Sequence, residues 1–376
     1  MPSPLIQHVR VLIDYRPALR DRTGVGEWVH KIVEALAATN RDDSLELTLF
    51  SSSWKDRLHQ PLPPRVDSID RRLPVRLLNY CWHRLEWPPA EALAKQQFDV
   101  VHSPHPLLIP TRSAAQVITI HDLDFLDHPE RTTAEVRRDY PQLVKKHVRR
   151  ASHVVVPSHY TAKQVEQRLA VSPEAISICP NGAPSWSPRE HPRKCDHLLF
   201  VGTLSPRKNI KGLFEAYAQL LRRRPDIPPL VLAGQPMASA AEALAMLDHP
   251  PLRGRVRCTG YLKKEDLHRC YENAFALILP SLDEGFGLPA LEAMTVGVPV
   301  VAANRGALPE VLGNAGLLVD PADPTALADA VERLLVEPTL ASCCVERGRV
   351  QAIRYSWAAS ARALRQAYDK AVACGS

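Results

Sequence analysis

The sequence predicts an α/β fold made of two doubly wound, Rossmann-like domains facing across a cleft. Short apolar runs alternate with helical patterns through both halves of the chain, which is the pattern of a parallel sheet covered by helices on both faces. Residues 180–192, crowded with Pro, Asn, Gly and Ser, carry no period and read as a linker. Beyond them the alternation starts again, and 376 residues are more than one core usually holds.

In order, the first half offers a strand at 9–13, a helix at 27–38, and strands at 46–50, 100–102, 116–120 and 154–156. The second half offers strands at 197–201, 229–233, 256–259, 274–279, 298–302 and 316–319, with a helix at 213–221. The predicted domains are 1–185 and 186–354, and the helical pattern in 355–376 is expected to cross back onto the first domain. In sheets of this kind ligands bind beyond the carboxyl ends of the strands, so the cleft is the expected site.

Composition narrows the function. With 45% apolar and 23% charged residues and a mean hydropathy of −0.18, the chain reads as globular and not disordered. A net charge of +6 and a pI near 8.9 suit a phosphate-bearing ligand or an anionic membrane surface better than a nucleic acid, so no nucleic-acid partner is expected. No apolar run reaches the roughly 18 residues of a membrane span, and the first residues lack the apolar stretch of a signal peptide. The expected location is cytoplasmic, with peripheral contact at the inner membrane face left open. The eight cysteines, Cys195 among them, show no CxxC or zinc-like spacing and are expected to be free thiols.

The segment 281–300 carries the most chemistry. A buried-strand pattern ends at Pro280, a turn holds Gly285, Phe286 and Gly287, and Pro289 suits the first turn of a helix starting near Leu288. Glycines let a ligand approach the backbone, and unpaired N–H groups at a helix start attract anions. Glu284 and Glu292 flank this anion site. A carboxylate repels phosphate, so both read as hydrogen-bond acceptors for hydroxyls on either side of it, as a nucleotide sugar would present. The plainer alternative makes Glu292 a complement to the helix dipole and Glu284 a solvated loop charge.

At the start of the second half, a strand, Gly202, and the adjacent cations Arg207 and Lys208 precede a helix; the two could clamp a diphosphate. In the first half His121 follows a strand, and Asp122 with Asp124 forms a D-x-D pair that offers a rival, metal-based way to hold a diphosphate. The loop before Gly24 and Gly26 lacks the third glycine of a dinucleotide fingerprint, since Val29 occupies its place, which argues against NAD. Two segments could meet a membrane or a lipid-linked acceptor: 76–87, mixing aromatics with cations, and the basic 135–150. Ordinary amphipathic packing is the alternative for each.

Taken together, TGVGEW, ITIHDLDF, VPSHYT, CPNG, FVGTLSPRKN and EGFGLPALE resemble, in order and over nearly the whole chain, the retaining glycosyltransferases of family 4, nearest to bacterial mannosyltransferases of surface polysaccharides. The resemblance implies a GT-B fold with the acceptor bound mainly by the first domain and the sugar nucleotide, GDP-mannose or a UDP-sugar, by the second. It implies that Arg207 and Lys208 hold the diphosphate, that Glu284 meets the transferred sugar and Glu292 the ribose, and that His121 lies beside the sugar and Gly24 near the phosphate. It also implies a glycan or lipid-linked acceptor, no cofactor and no metal. No carboxylate pair suits a glycosidase-like nucleophile and acid, so the leaving diphosphate is expected to take the acceptor's proton. A nucleotide-sugar epimerase on the same fold and a non-catalytic nucleotide-sugar binder remain as alternatives.

Overall fold

The computed structural model describes residues 8–19, 24–40, 43–58, 61–132, 134–189 and 196–375. The chain forms two compact units, one running to Gly182 and resuming at Ser356, the other spanning Ala183–Tyr355.

The first unit holds strands β1 (Val9–Asp14), β2 (Leu45–Ser52), β3 (Val66–Arg71), β4 (Val100–Ser103), β5 (Ala115–Thr119), β6 (His153–Val156) and β7 (Ile176–Ile178). All pair in parallel in the order β3-β2-β1-β4-β5-β6-β7. The order turns back at β1, whose neighbours are β2 on one side and β4 on the other. Central strands such as β4 are buried throughout, as strands covered on both faces must be. The sequence pattern offers no strand at β3 or β7, because β3 (VDSIDR) is polar and only partly buried and β7 spans only Ile176–Ile178. Both lie at sheet edges, where burial does not enforce an apolar run.

The helix Trp357–Gly375 belongs to this unit. Ala361, Leu364, Ala367, Tyr368 and Ala371 fall on one face at helical spacing and join the core built by Trp28, Ile32 and Leu36 of the helix Val25–Thr39. The Tyr368 hydroxyl is 2.8 Å from Nδ1 of His102 on β4.

The second unit holds β8 (His197–Val201), β9 (Leu230–Ala233), β10 (Val256–Gly260), β11 (Ala274–Leu279), β12 (Val300–Ala303) and β13 (Leu317–Val319), again parallel, in the order β10-β9-β8-β11-β12-β13. Here the order turns back at β8. Of the predicted linker, 190–192 lies outside the described residues, as does Cys195. The part from 183 to 189 is packed on the second unit: Trp186 stacks on His268 with centroids 4.8 Å apart, and the Arg189 N–H donates to the Val296 carbonyl at 3.0 Å. Turn-forming residues concealed an aromatic anchor there. The seven described cysteines are free, and among the described residues no helix is long and apolar enough to cross a membrane.

Candidate active site

In a doubly wound sheet a crevice opens beyond the carboxyl ends of the strands where the order turns back. In the second unit those strands are β8 and β11, and the predicted donor residues gather beyond them. β8 leads through Gly202 to a 3-10 turn, Pro206–Lys208, which Asn209 ends in the left-handed conformation. The Asn209 side chain then caps the helix Ile210–Arg223 and donates to the Pro321 carbonyl at 2.8 Å. β11 leads through Pro280 to Ser281 and Glu284. The two loops are tied together by the Leu282 N–H, which donates to the Arg207 carbonyl at 2.8 Å.

That tie sets Lys208 Nζ in a direct ion pair with Glu284 Oε1, and the wholly buried Ser281 donates its hydroxyl to the same oxygen at 2.8 Å. Burial pushes the Glu284 carboxyl up. The charges of Lys208 and Arg207, with the hydrogen bonds from Lys208 and Ser281, outweigh it and hold the carboxyl below its ordinary value. Glu284 is therefore ionised, with one oxygen already engaged. Its backbone is held as well, since the Ala307 N–H donates to the Glu284 carbonyl at 2.8 Å. A Cβ at Gly306, where φ is +62°, would stand 2.6 Å from both the nitrogen and the carbonyl oxygen of Glu284, so only glycine lets these loops meet.

Gly287, at φ +103°, caps the helix Leu288–Val296. Gly285 and Gly287 are enclosed in this turn, while Phe286 packs edge-on against Tyr355 in the core with centroids 5.6 Å apart. Phe286 can thus offer a ligand its backbone but not its ring. On the same helix Glu292 Oε2 accepts from the Tyr271 hydroxyl at 2.7 Å. Burial, with Glu292 beside it, drives the Tyr271 pKa well above its ordinary value, so Tyr271 remains a donor.

In the first unit His121 follows β5. It packs edge-on against Trp28 with centroids 5.2 Å apart, and its Nε2 is shielded without a hydrogen-bond partner. Burial holds its pKa at about 4, against the pull of Asp122 and a hydrogen bond to the Pro104 backbone, so the ring is neutral. Gly24, at φ +51°, starts the helix that carries Trp28, and its carbonyl accepts from the Trp28 N–H at 3.0 Å. The end of the TGVGEW loop is therefore described, but residues 20–23 are not. Asp122 accepts from the Asp124 N–H at 3.2 Å, an arrangement that starts the short helix Asp124–Asp127. Among the described residues no group of three or more His, Cys, Asp or Glu is placed to hold a metal.

Sequence reading gave no role to Ser281, Tyr271, Gly306 and Trp28. Ser281 borders the EGFGLPALE motif and Trp28 ends TGVGEW, so both could have been suspected. Tyr271 and Gly306 come from distant segments and left no local signal.

Fold and site define a two-unit nucleotide-type α/β protein with a cation–carboxylate pair where the second sheet turns back. Residues 22–185 match the family pattern described as Glycosyltransferase Family 4, and residues 188–351 match that of Glycosyl transferases group 1. The chain belongs to the family 4 glycosyltransferases, and its paired parallel-sheet units are those of the GT-B fold. Among its relatives is the O-antigen chain mannosyltransferase B of Escherichia coli, 28% identical over 374 residues, covering 93% of this chain and 96% of the relative. The MMP alpha-(1->4)-mannosyltransferase of Mycolicibacterium hassiacum is 32% identical over 246 residues, 63% of this chain and 59% of that one. Among solved structures, sucrose-phosphate synthase from Thermosynechococcus elongatus shares the fold, with a TM-score of 0.77 at 22% identity over 96% of this chain and 98% of that one.

Proposed function

We propose that the protein is a retaining, metal-independent hexosyltransferase that moves mannose from GDP-mannose to a glycan or lipid-linked acceptor in surface polysaccharide biosynthesis. The observation that carries this reading is the Lys208–Glu284 pair, completed by Ser281 and neighboured by Arg207 beyond β8 and β11. The two cations suit a diphosphate, the second oxygen of Glu284 suits a hydroxyl of the transferred sugar, and Glu292, fixed by Tyr271, suits the ribose. His121 is assigned to the transferred sugar and Gly24 to the phosphate. The names of the relatives support mannose.

In the reaction the bond from the sugar's anomeric carbon to the diphosphate breaks and a bond to the acceptor oxygen forms on the same face. The acceptor's proton passes to the departing phosphate. Arg207 and Lys208 stabilise the charge that develops there, and positioning supplies the rest of the acceleration. Incubation with radiolabelled GDP-mannose, UDP-glucose and related donors plus a lipid extract, in EDTA, tests this. Label from GDP-mannose in an acceptor product of retained configuration is expected. Release of free or epimerised sugar without such a product would overturn the reading. Activity lost to EDTA and restored by magnesium or manganese would return Asp122 and Asp124 as ligands.

Peripheral contact with the cytoplasmic membrane face is part of the same proposal. Trp82 is fully buried, yet Leu77, Tyr80, Leu85 and Trp87 of the same segment are exposed, Trp87 by 66%. Lys146 and Arg150 both donate to Glu86, at 2.8 and 2.7 Å, and so bring the basic end of the helix Ala134–Val148 beside these apolar groups. Aromatic and aliphatic groups next to cations suit an anionic interface. Sedimentation with anionic but not neutral vesicles, lost on Leu85→Ser with Trp87→Ser, is the expected result; equal sedimentation of both proteins would reject it.

A further inference from the structure

The order of the first sheet turns back between β1 and β4, where doubly wound sheets bind ligands, and the donor chemistry uses none of the side chains gathered beyond those strand ends. Asp14, buried at the end of β1, is held by Arg16 through Nε at 2.8 Å and Nη2 at 2.7 Å. The Arg16 guanidinium lies 4.7 Å over the Trp82 ring, and its Nη1 donates to Asn79 at 2.8 Å. His105, just beyond β4, brings Nε2 to 3.7 Å from the Asp14 carboxylate and stacks on Tyr140 with centroids 6.1 Å apart. His83 closes the cluster, its ring 5.6 Å from that of His105 and 6.4 Å from that of His147. His105 and Tyr140 are partly exposed and open the cluster to solvent.

His83 and His147 are 3% and 1% exposed. Nδ1 of His147 accepts from the Leu108 N–H at 2.9 Å, but its Nε2 and both ring nitrogens of His83 have no hydrogen-bond partner. His102, nearby, is different: its two nitrogens meet Tyr368 and Thr119, each at 2.8 Å, as a structural histidine requires. Buried polar atoms are ordinarily satisfied, so the unpaired nitrogens point to a ligand.

Chemistry selects which ligand. A cation would meet the Arg16 guanidinium, and these residues do not form a metal-holding group. An anion would meet the Asp14 carboxylate, while the donors of Arg16 are occupied by Asp14 and Asn79. An apolar group would leave the nitrogens unpaired. Burial keeps His83 neutral, its pKa held down to about 2, and His147 likewise at about 4. A neutral imidazole offers one donor and one acceptor, and a hydroxyl answers both.

We propose that His83, His105 and His147, backed by the Asp14–Arg16 pair, form the subsite for a neutral sugar ring of the acceptor, bound through its hydroxyls and not through a phosphate. This rests on the reading above that the acceptor is a glycan.

The test is long-range proton–nitrogen NMR of the full-length chain labelled with 15N-histidine, titrated separately with methyl α-mannoside and inorganic phosphate. The mannoside should shift the His83 and His147 nitrogens, assigned through His83→Gln and His147→Gln, and phosphate should not. His83→Leu should weaken mannoside binding about tenfold, the loss of two modest hydrogen bonds, while His83→Gln, which keeps a donor and an acceptor, should stay within about threefold. Shifts with phosphate in place of the mannoside, no shifts at all, or an affinity unchanged by His83→Leu would each overturn the subsite. Should His83→Leu fail to fold, the titration of the unsubstituted protein decides. GDP and UDP titrated into the same sample keep the two readings apart. Nucleotide binding without mannoside shifts defeats the subsite alone, and mannoside shifts without nucleotide binding defeat the donor reading alone.

Discussion

Lys208→Met removes the cation of the central pair and leaves Glu284 in place. Both side chains are nearly enclosed, 12% and 8% exposed, so water replaces little of what the carboxylate loses. Breaking a buried pair from one side costs about 3–5 kcal/mol. Ser281 and Arg207 still face Glu284, which puts the cost near the lower end, about 3 kcal/mol. For a unit of this size that is a fall in Tm of roughly 6–12 °C. The loss depends on pH. In the unaltered protein the folded pKa of Glu284 lies below its ordinary value, so the pair stabilises the fold above the unfolded pKa and fades as pH falls through the folded one. Without Lys208, burial dominates and the folded pKa rises above the unfolded value. The penalty then grows as pH rises past the unfolded pKa, making the Tm deficit larger near pH 8 than near pH 5. Adding Glu284→Gln should restore most of the stability but not sugar transfer. Thermal unfolding at both pH values, with a transfer assay on both variants, checks this. A deficit equal at the two pH values and unrelieved in the double variant would show that Glu284 is not enclosed, and normal transfer by the double variant would remove the pair from the machinery.

Three further predictions follow from the geometry. Gly306→Ala, whose Cβ would press on the Glu284 backbone at 2.6 Å, should lower kcat at least tenfold, by displacing Glu284, with a smaller effect on donor KM; unchanged kcat would show that the loop absorbs the methyl group. Glu292→Gln should raise donor KM with little change in kcat, and Glu284→Gln should mainly lower kcat, because a ribose contact is uniform binding and a contact to the transferred sugar can strengthen in the transition state. Losses confined to KM in both variants would reject that division. Five histidines of the first unit, the buried His83, His102, His147 and His153 and the partly buried His121, are held neutral by desolvation, with pKa values of about 2, 3, 4, 4 and 4 in that order. The unfolded chain therefore binds more protons below pH ~6.5, and denaturant titrations should show stability of this unit falling as pH drops from there toward about 4, by up to roughly 1.4 kcal/mol per pH unit for each histidine; a flat profile would mean that these rings take up protons while folded.

Much of this architecture can be read along the chain. β8 and β11 stand out because strands covered on both faces must be apolar throughout, and the turn after β11 stands out because its glycines and Pro289 have specific conformational uses. β3 could not be read, since an edge strand may be polar. The segment 76–87 offered two tryptophans with no local sign that Trp82 would be buried and Trp87 exposed. At the site, Glu284, Arg207 and Lys208 were visible as charges. That Lys208 and Ser281 share one oxygen of Glu284 was not, because it depends on β8 lying beside β11, a pairing that joins residues 76 positions apart. Gly306 and Tyr271 were hidden for the same reason, and so was the cluster of His83, His105 and His147, which only the sheet order and the helix Ala134–Val148 assemble.

On the proposed function, Arg207 and Lys208 hold the donor's diphosphate beyond β8 and β11. Calorimetric titration of GDP, UDP and the corresponding nucleosides into the unaltered protein and Arg207→Ala tests it most directly. Arg207 is partly exposed and its loss leaves the Lys208–Glu284 pair intact, so folding should be preserved. Losing a hydrogen bond to a charged group costs about 1.5–3 kcal/mol, so the account predicts that the variant binds its preferred nucleoside diphosphate about ten- to a hundredfold more weakly, with nucleoside binding unchanged. Equal diphosphate affinity in the two proteins would contradict it.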